Sequence, residues 1–213
     1  RNPRLKDTDK LSFMHPSSSR QIDSLSRAMF RKAGRTDTSL VERLSLLSSL
    51  YDLLTGTSCI VDLRKEDRWV CLAEEVVEAA FPQARAGEEE VLVALCRCLT
   101  DYFYFVPNPE EDEWFRFLKA TVAKFGESLA SSKTWPGLSL EETFARLELM
   151  NRYSYMFLDH RWDKVVAEAI QYYKGRALDT SSLSWEARLC LYDLSASGHT
   201  SPLDEALADT FMQ

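Results

Sequence analysis

Apolar residues recur along most of this chain at intervals of three and four, the spacing that gathers them on one face of an α-helix. Ile22, Leu25 and Met29 mark a first helix from about residue 19, ended by Gly34. Leu44, Leu47, Leu50, Tyr51 and Leu54 mark a second over 40–55, with Val41, Leu46 and Leu53 widening its stripe until burial on more than one side is expected. The same pattern predicts helices over 68–81, stopped by Pro82, and over 91–106, opened by Gly87-Glu88-Glu89-Glu90 and closed by Pro107. It continues over 109–130, 140–158, 162–173, 183–194 and 202–211, about nine helices in all. The predicted class is all-α.

Signals for helix ends agree with this reading. Ser39 with Glu42, and Ser139 with Glu142, have the spacing of capping boxes, in which the serine hydroxyl takes a free amide and the glutamate reaches back to the cap. Asn108-Pro109 and Ser201-Pro202 add start signals, because proline at the first helical position surrenders an amide that has no partner. Gly34, Gly56, Gly175 and Gly198 follow apolar stretches, as left-handed C-terminal caps do. Residues 1–18, with Pro3, Pro16 and few apolar positions, read as an extended basic arm ahead of a single domain over 19–213, with a subdomain joint at 131–138.

Pairing the helices gives units over 40–81, 88–130 and 139–174, a length that suits either an α-solenoid-like array of antiparallel hairpins or a compact helical bundle. The stretch from Tyr153 to Tyr173, with Leu158-Asp-His-Arg-Trp162 at its turn, resembles a tetratricopeptide hairpin. That resemblance implies a helical hairpin and no more, since Tyr153 and Val165 stand where the family has small residues.

Charge divides unevenly. Residues 1–36 carry nine Lys and Arg against Asp7, Asp9 and Asp23, a net +6, and the remainder carries −13 of the total −7. A basic front on an acidic body allows self-association or contact with an acidic partner. Five cysteines, odd in number and mostly within apolar runs, read as reduced thiols of a cytoplasmic or nuclear protein. A membrane-spanning run and a signal-peptide core are both lacking from the sequence. The chain opens at Arg1, so an excerpt of a longer protein is expected.

Catalytic signatures are lacking. Cys96 and Cys98 are two apart, which points them in opposite directions on a helix, and no Cys-x-x-Cys or paired histidine completes a zinc site. Nucleophile elbows and phosphate-binding glycine loops are missing too, so no metal and no cofactor are expected. His160 reads as a turn histidine at the surface, because its neighbour Asp159 cannot face it. The aromatic runs around Pro107-Asn108-Pro109 cannot all enter one core. They predict protein–protein interaction, a scaffold or adaptor segment binding a partner peptide or helix through Tyr104, Phe105, Trp114 and Phe115, with Glu111 and Asp112 steering basic flanks. The alternatives are a nucleic-acid-associated role through Arg20, Arg27, Arg31, Lys32 and Arg35, and an enzyme of unrecognised type.

Overall fold

The computed structural model describes residues 16–56, 63–106, 112–132 and 134–174. Every regular element among them is helical, comprising seven α-helices and one 3-10 turn. The helices expected over 183–194 and 202–211 lie outside the described residues, as do Asn108-Pro109, Gly175, Gly198 and residues 1–15 of the arm. Contacts divide the chain into two compact units, Arg1–Pro107 and Asn108–Gln213. Residues 131–138, where a subdomain joint is expected, fall within the second unit.

The first unit holds α1 (Pro16–Ala33), α2 (Leu40–Gly56), α3 (Leu63–Ala86) and α4 (Glu89–Phe105). α1 begins three residues earlier than the periodicity predicts because Pro16 suits a first helical position. The broad stripe of α2 is explained by its neighbours: it packs against α1, α3 and α4, and α3 packs on α4. Leu44, Leu47 and Leu50 are fully buried there, each worth roughly 1.5–3 kcal/mol relative to exposure. Trp69 of α3 is buried beside them and donates its indole N–H to the Leu47 carbonyl at 2.8 Å, so its one polar atom is satisfied.

Arg43 fastens three helices at once. Its Nε donates to the Ala33 carbonyl at the end of α1 (2.7 Å) and its Nη2 to Glu75 of α3 (2.9 Å), which gives two of its five N–H donors partners in a residue only 5% exposed. The inward face of α1 differs from the expected one: Ser26, Phe30 and Ala33 are buried, whereas Leu25 is 53% exposed. Ser26 can go inside because its hydroxyl donates to the Ile22 carbonyl one turn back (2.9 Å).

Three end signals, Pro82, Gly34 and Gly56, work differently from the expectation. α3 runs through Pro82 to Ala86. Pro82 and Glu78 share an exposed face, so the Glu78 carbonyl that loses its partner is turned toward water. The helix stops instead at Gly87, whose φ of 91° places it in the left-handed region. There the Glu88 amide donates to the Gln83 carbonyl and the Gly87 amide to that of Ala84, the paired bonds of a Schellman cap. Gly34 and Gly56 are not left-handed: Gly34 closes α1 with an ordinary amide bond to the Phe30 carbonyl (3.1 Å), and Gly56 is the last residue of α2.

The second unit holds α5 (Glu113–Ser132), α6 (Leu140–Phe157), a 3-10 turn (His160–Trp162) and α7 (Asp163–Lys174), and the three helices pack on one another. α6 starts at the predicted capping box: the Ser139 hydroxyl accepts from the Glu142 amide (3.2 Å) and the Glu142 carboxylate accepts from the Ser139 amide (2.7 Å). It ends at Leu158, left-handed at φ 52° without being glycine. The Trp162 ring lies directly against the Gly126 backbone of α5, where a Cβ would stand 2.2 Å from it. Arg146 of α6 stacks over Phe125 (4.5 Å) and Trp135 (5.4 Å), closing the loop between α5 and α6 onto the core.

Candidate functional site

The aromatic residues singled out from the sequence fall into both units. Tyr104 and Phe105 end α4 in the first; Trp114 and Phe115 begin α5 in the second. Tyr104 is 60% exposed, with its ring edge-on to Tyr51 (5.6 Å) and Phe105 (5.3 Å). Phe105 is half-buried against Tyr51 (5.6 Å) and Trp69 (5.4 Å). The four rings form a filled cluster from α2, α3 and α4. At 5–6 Å between centroids they touch one another and leave no room for a cation between them.

Phe115 is buried, its ring 5.1 Å from Phe157 of α6, so it serves the core of the second unit. Trp114 is half-buried. Asp112 acts on its own helix, where its Oδ1 accepts from the amides of Trp114 (2.7 Å) and Phe115 (3.3 Å) and so caps α5. Glu111 lies outside the described residues.

Arg20, Arg27, Arg31 and Lys32 all belong to α1, and Arg35 follows it. Arg27 pairs with Asp23, Lys32 with Glu42, and Arg35 with Asp37 through two hydrogen bonds (2.8 and 2.5 Å). The Arg35 guanidinium holds the Asp37 carboxyl below its ordinary value. An open cleft of about 620 Å³ runs past Arg31, Lys32, Arg35 and Thr38. A phosphate entering it would compete with two carboxylates, Glu42 on Lys32 and Asp37 on Arg35.

Cys71, Cys96 and Cys98 are free thiols, the first exposed and the other two buried. Among the described residues no three His, Cys, Asp or Glu side chains converge as a metal site would require. No helix among them is long and apolar enough to cross a membrane.

A polar cluster that the sequence pattern does not assemble joins the end of α6 to the start of α7. His160 Nδ1 lies 2.8 Å from Asp163 Oδ2 and 3.2 Å from Ser154 Oγ, and Ser154 Oγ donates to Asp163 Oδ1 at 2.5 Å. Ser154 is buried, whereas the imidazole is 62% exposed. Asp159, the adjacent carboxylate, turns to Arg161 (2.8 and 2.6 Å), whose guanidinium depresses its pKa. The available signal was the three-residue spacing of His160 and Asp163, one turn apart. The chain matches no protein-family model, no curated protein and no solved structure.

Proposed function

We propose that this chain is a protein–protein interaction segment, a scaffold or adaptor built from antiparallel helical hairpins, and that Tyr104 is the anchor for a partner peptide or helix. The reading rests on one observation: Tyr104 offers 60% of its surface to solvent while its ring is already fixed by Tyr51 and Phe105. A rigid aromatic with an exposed flank supplies contact area at little entropic cost on binding, which is why tyrosine dominates interface hot spots. Phe105 extends the apolar floor. The net charge of −7 favours a partner with basic flanks.

The hairpin array continues in this reading through two more helices over 183–194 and 202–211, as a solenoid-like stack or a bundle. Free thiols at Cys71, Cys96 and Cys98 suit a cytoplasmic or nuclear setting. Binding of nucleic acid by α1 is disfavoured, since Asp23, Asp37 and Glu42 already neutralise Arg27, Arg35 and Lys32.

A displayed peptide library panned against the whole chain tests the proposal. Peptides with apolar anchors and basic flanks should be enriched, and Tyr104→Ala should weaken the best of them by about tenfold or more with helix content and cooperative melting retained. Selected peptides that bind Tyr104→Ala as tightly as the parent would dismiss the site; an unenriched library would dismiss the reading.

A further inference from the structure

The cluster at the α6–α7 joint fixes which nitrogen of His160 carries the hydrogen. A lone pair on Nδ1 would face a carboxylate oxygen at 2.8 Å and be repelled, so Nδ1 holds the proton and donates it to Asp163. The second carboxylate oxygen accepts the Ser154 hydroxyl, which anchors Asp163 from the buried side. Nε2 makes no hydrogen bond or ion pair to any described residue, on a ring 62% exposed. The imidazole is thus oriented from behind and open in front.

This differs from a hydrolase triad, in which serine and aspartate engage opposite nitrogens of the histidine. Here both use Nδ1, and the serine gives its hydrogen to the carboxylate, so Ser154 is no nucleophile. The candidate nucleophile is Nε2 itself. Its exposure suits a group that is modified by an incoming reagent.

We propose that Nε2 of His160 is a phosphoryl-acceptor site, served by a donor with an activated phosphorus–nitrogen or acyl-phosphate bond. Nε2 donates its lone pair to phosphorus as the donor's bond to its leaving group breaks; the leaving amine or carboxylate takes the electron pair, and an amine leaves with a proton from solvent. The ring gains positive charge while Nδ1 keeps its hydrogen. Asp163, fixed at 2.8 Å, stabilises that charge as it develops. Asp163 and Ser154 are positioning residues. The site lies in the second unit and stands apart from the Tyr104 reading.

Phosphoramidate serves as the probe, with the whole chain in mildly alkaline buffer and phosphorus–nitrogen bonds followed by ³¹P and ¹⁵N NMR. His15 and His199, the other two histidines of the chain, are internal references. His160 should be phosphorylated on Nε2 about tenfold or more faster than either, and Asp163→Asn should lower its rate to theirs with helix content unchanged. His160→Gln should remove the fast signal. Equal rates at all three histidines, a bond on Nδ1, or an undiminished rate in a folded Asp163→Asn chain would overturn the proposal. Should Asp163→Asn unfold, the comparison among histidines in the unaltered chain decides alone.

Discussion

Gly126 has no side chain because the Trp162 ring occupies the place where one would be, with three ring atoms 2.2–2.6 Å from an ideal Cβ. Alanine for glycine inside a helix ordinarily gains about 1 kcal/mol. At Gly126 the indole would have to move bodily, so Gly126→Ala should instead lose about 1–3 kcal/mol, seen as a lower urea midpoint at unchanged slope; a raised midpoint would refute the close packing. Leu158 shows the opposite mismatch, a leucine held at φ 52° and 77% exposed. Its side chain strains the left-handed conformation without burial in return, so Leu158→Gly should raise stability by about 0.5–1 kcal/mol, measured in the same titration. Neither feature was legible in the sequence. A glycine in mid-helix carries no mark of the ring against it, and a leucine at a helix end reads as one more apolar residue of the stripe.

Helix ends were legible where one side chain serves its own turn. Ser139 and Glu142 form the capping box their spacing predicts, and Ser139→Ala should cost about 1 kcal/mol. The Glu142 carboxyl lies below its ordinary value, first because it accepts from the Ser139 amide and then from the Ser139 hydroxyl. A depressed carboxyl contributes stability above the ordinary glutamate value and loses it as pH falls through its own lower one. In Glu142→Gln the acid-side slope of stability against pH should therefore be shallower than in the parent; an identical slope would mean the box contributes nothing. Ends set by tertiary surroundings were less legible. Pro82 is carried inside α3 because its face is exposed, and Gly87 closes that helix although it stands where the next one was expected to open. Arg43 looks in the sequence like a solvated residue on an apolar helix. Only packing shows that it holds Ala33 and Glu75 together. Arg43→Met should lose about 1–3 kcal/mol and speed amide exchange in the last turn of α1. Glu75→Gln should do little, because the Glu75 side chain is 63% exposed.

Across the whole chain, the basic front and the acidic remainder that the sequence sets apart are mixed again by folding. The first unit contains all of residues 1–36 together with thirteen acidic residues beyond them, and nets −1; the second nets −6. The cations of α1 and its following turn find carboxylates within that unit, at Asp23, Glu42 and Asp37. Each unit also has its own buried core, around Leu44, Leu47, Trp69 and Leu95 in one and Leu118, Phe144, Leu147 and Met150 in the other. At about 107 and 106 residues each is of ordinary domain size. The sequence pattern shows the seven described helices but not which of them share a core, because a stripe of leucines is the same whichever neighbour covers it. If the cores are separate, fragments 1–107 and 108–213 expressed alone should each be helical by circular dichroism and melt cooperatively. The first should tolerate high salt with little loss, since its ion pairs are exposed and individually weak. A fragment that stays unfolded alone and gains helix only when mixed with the other would show instead that the two halves complete a single core.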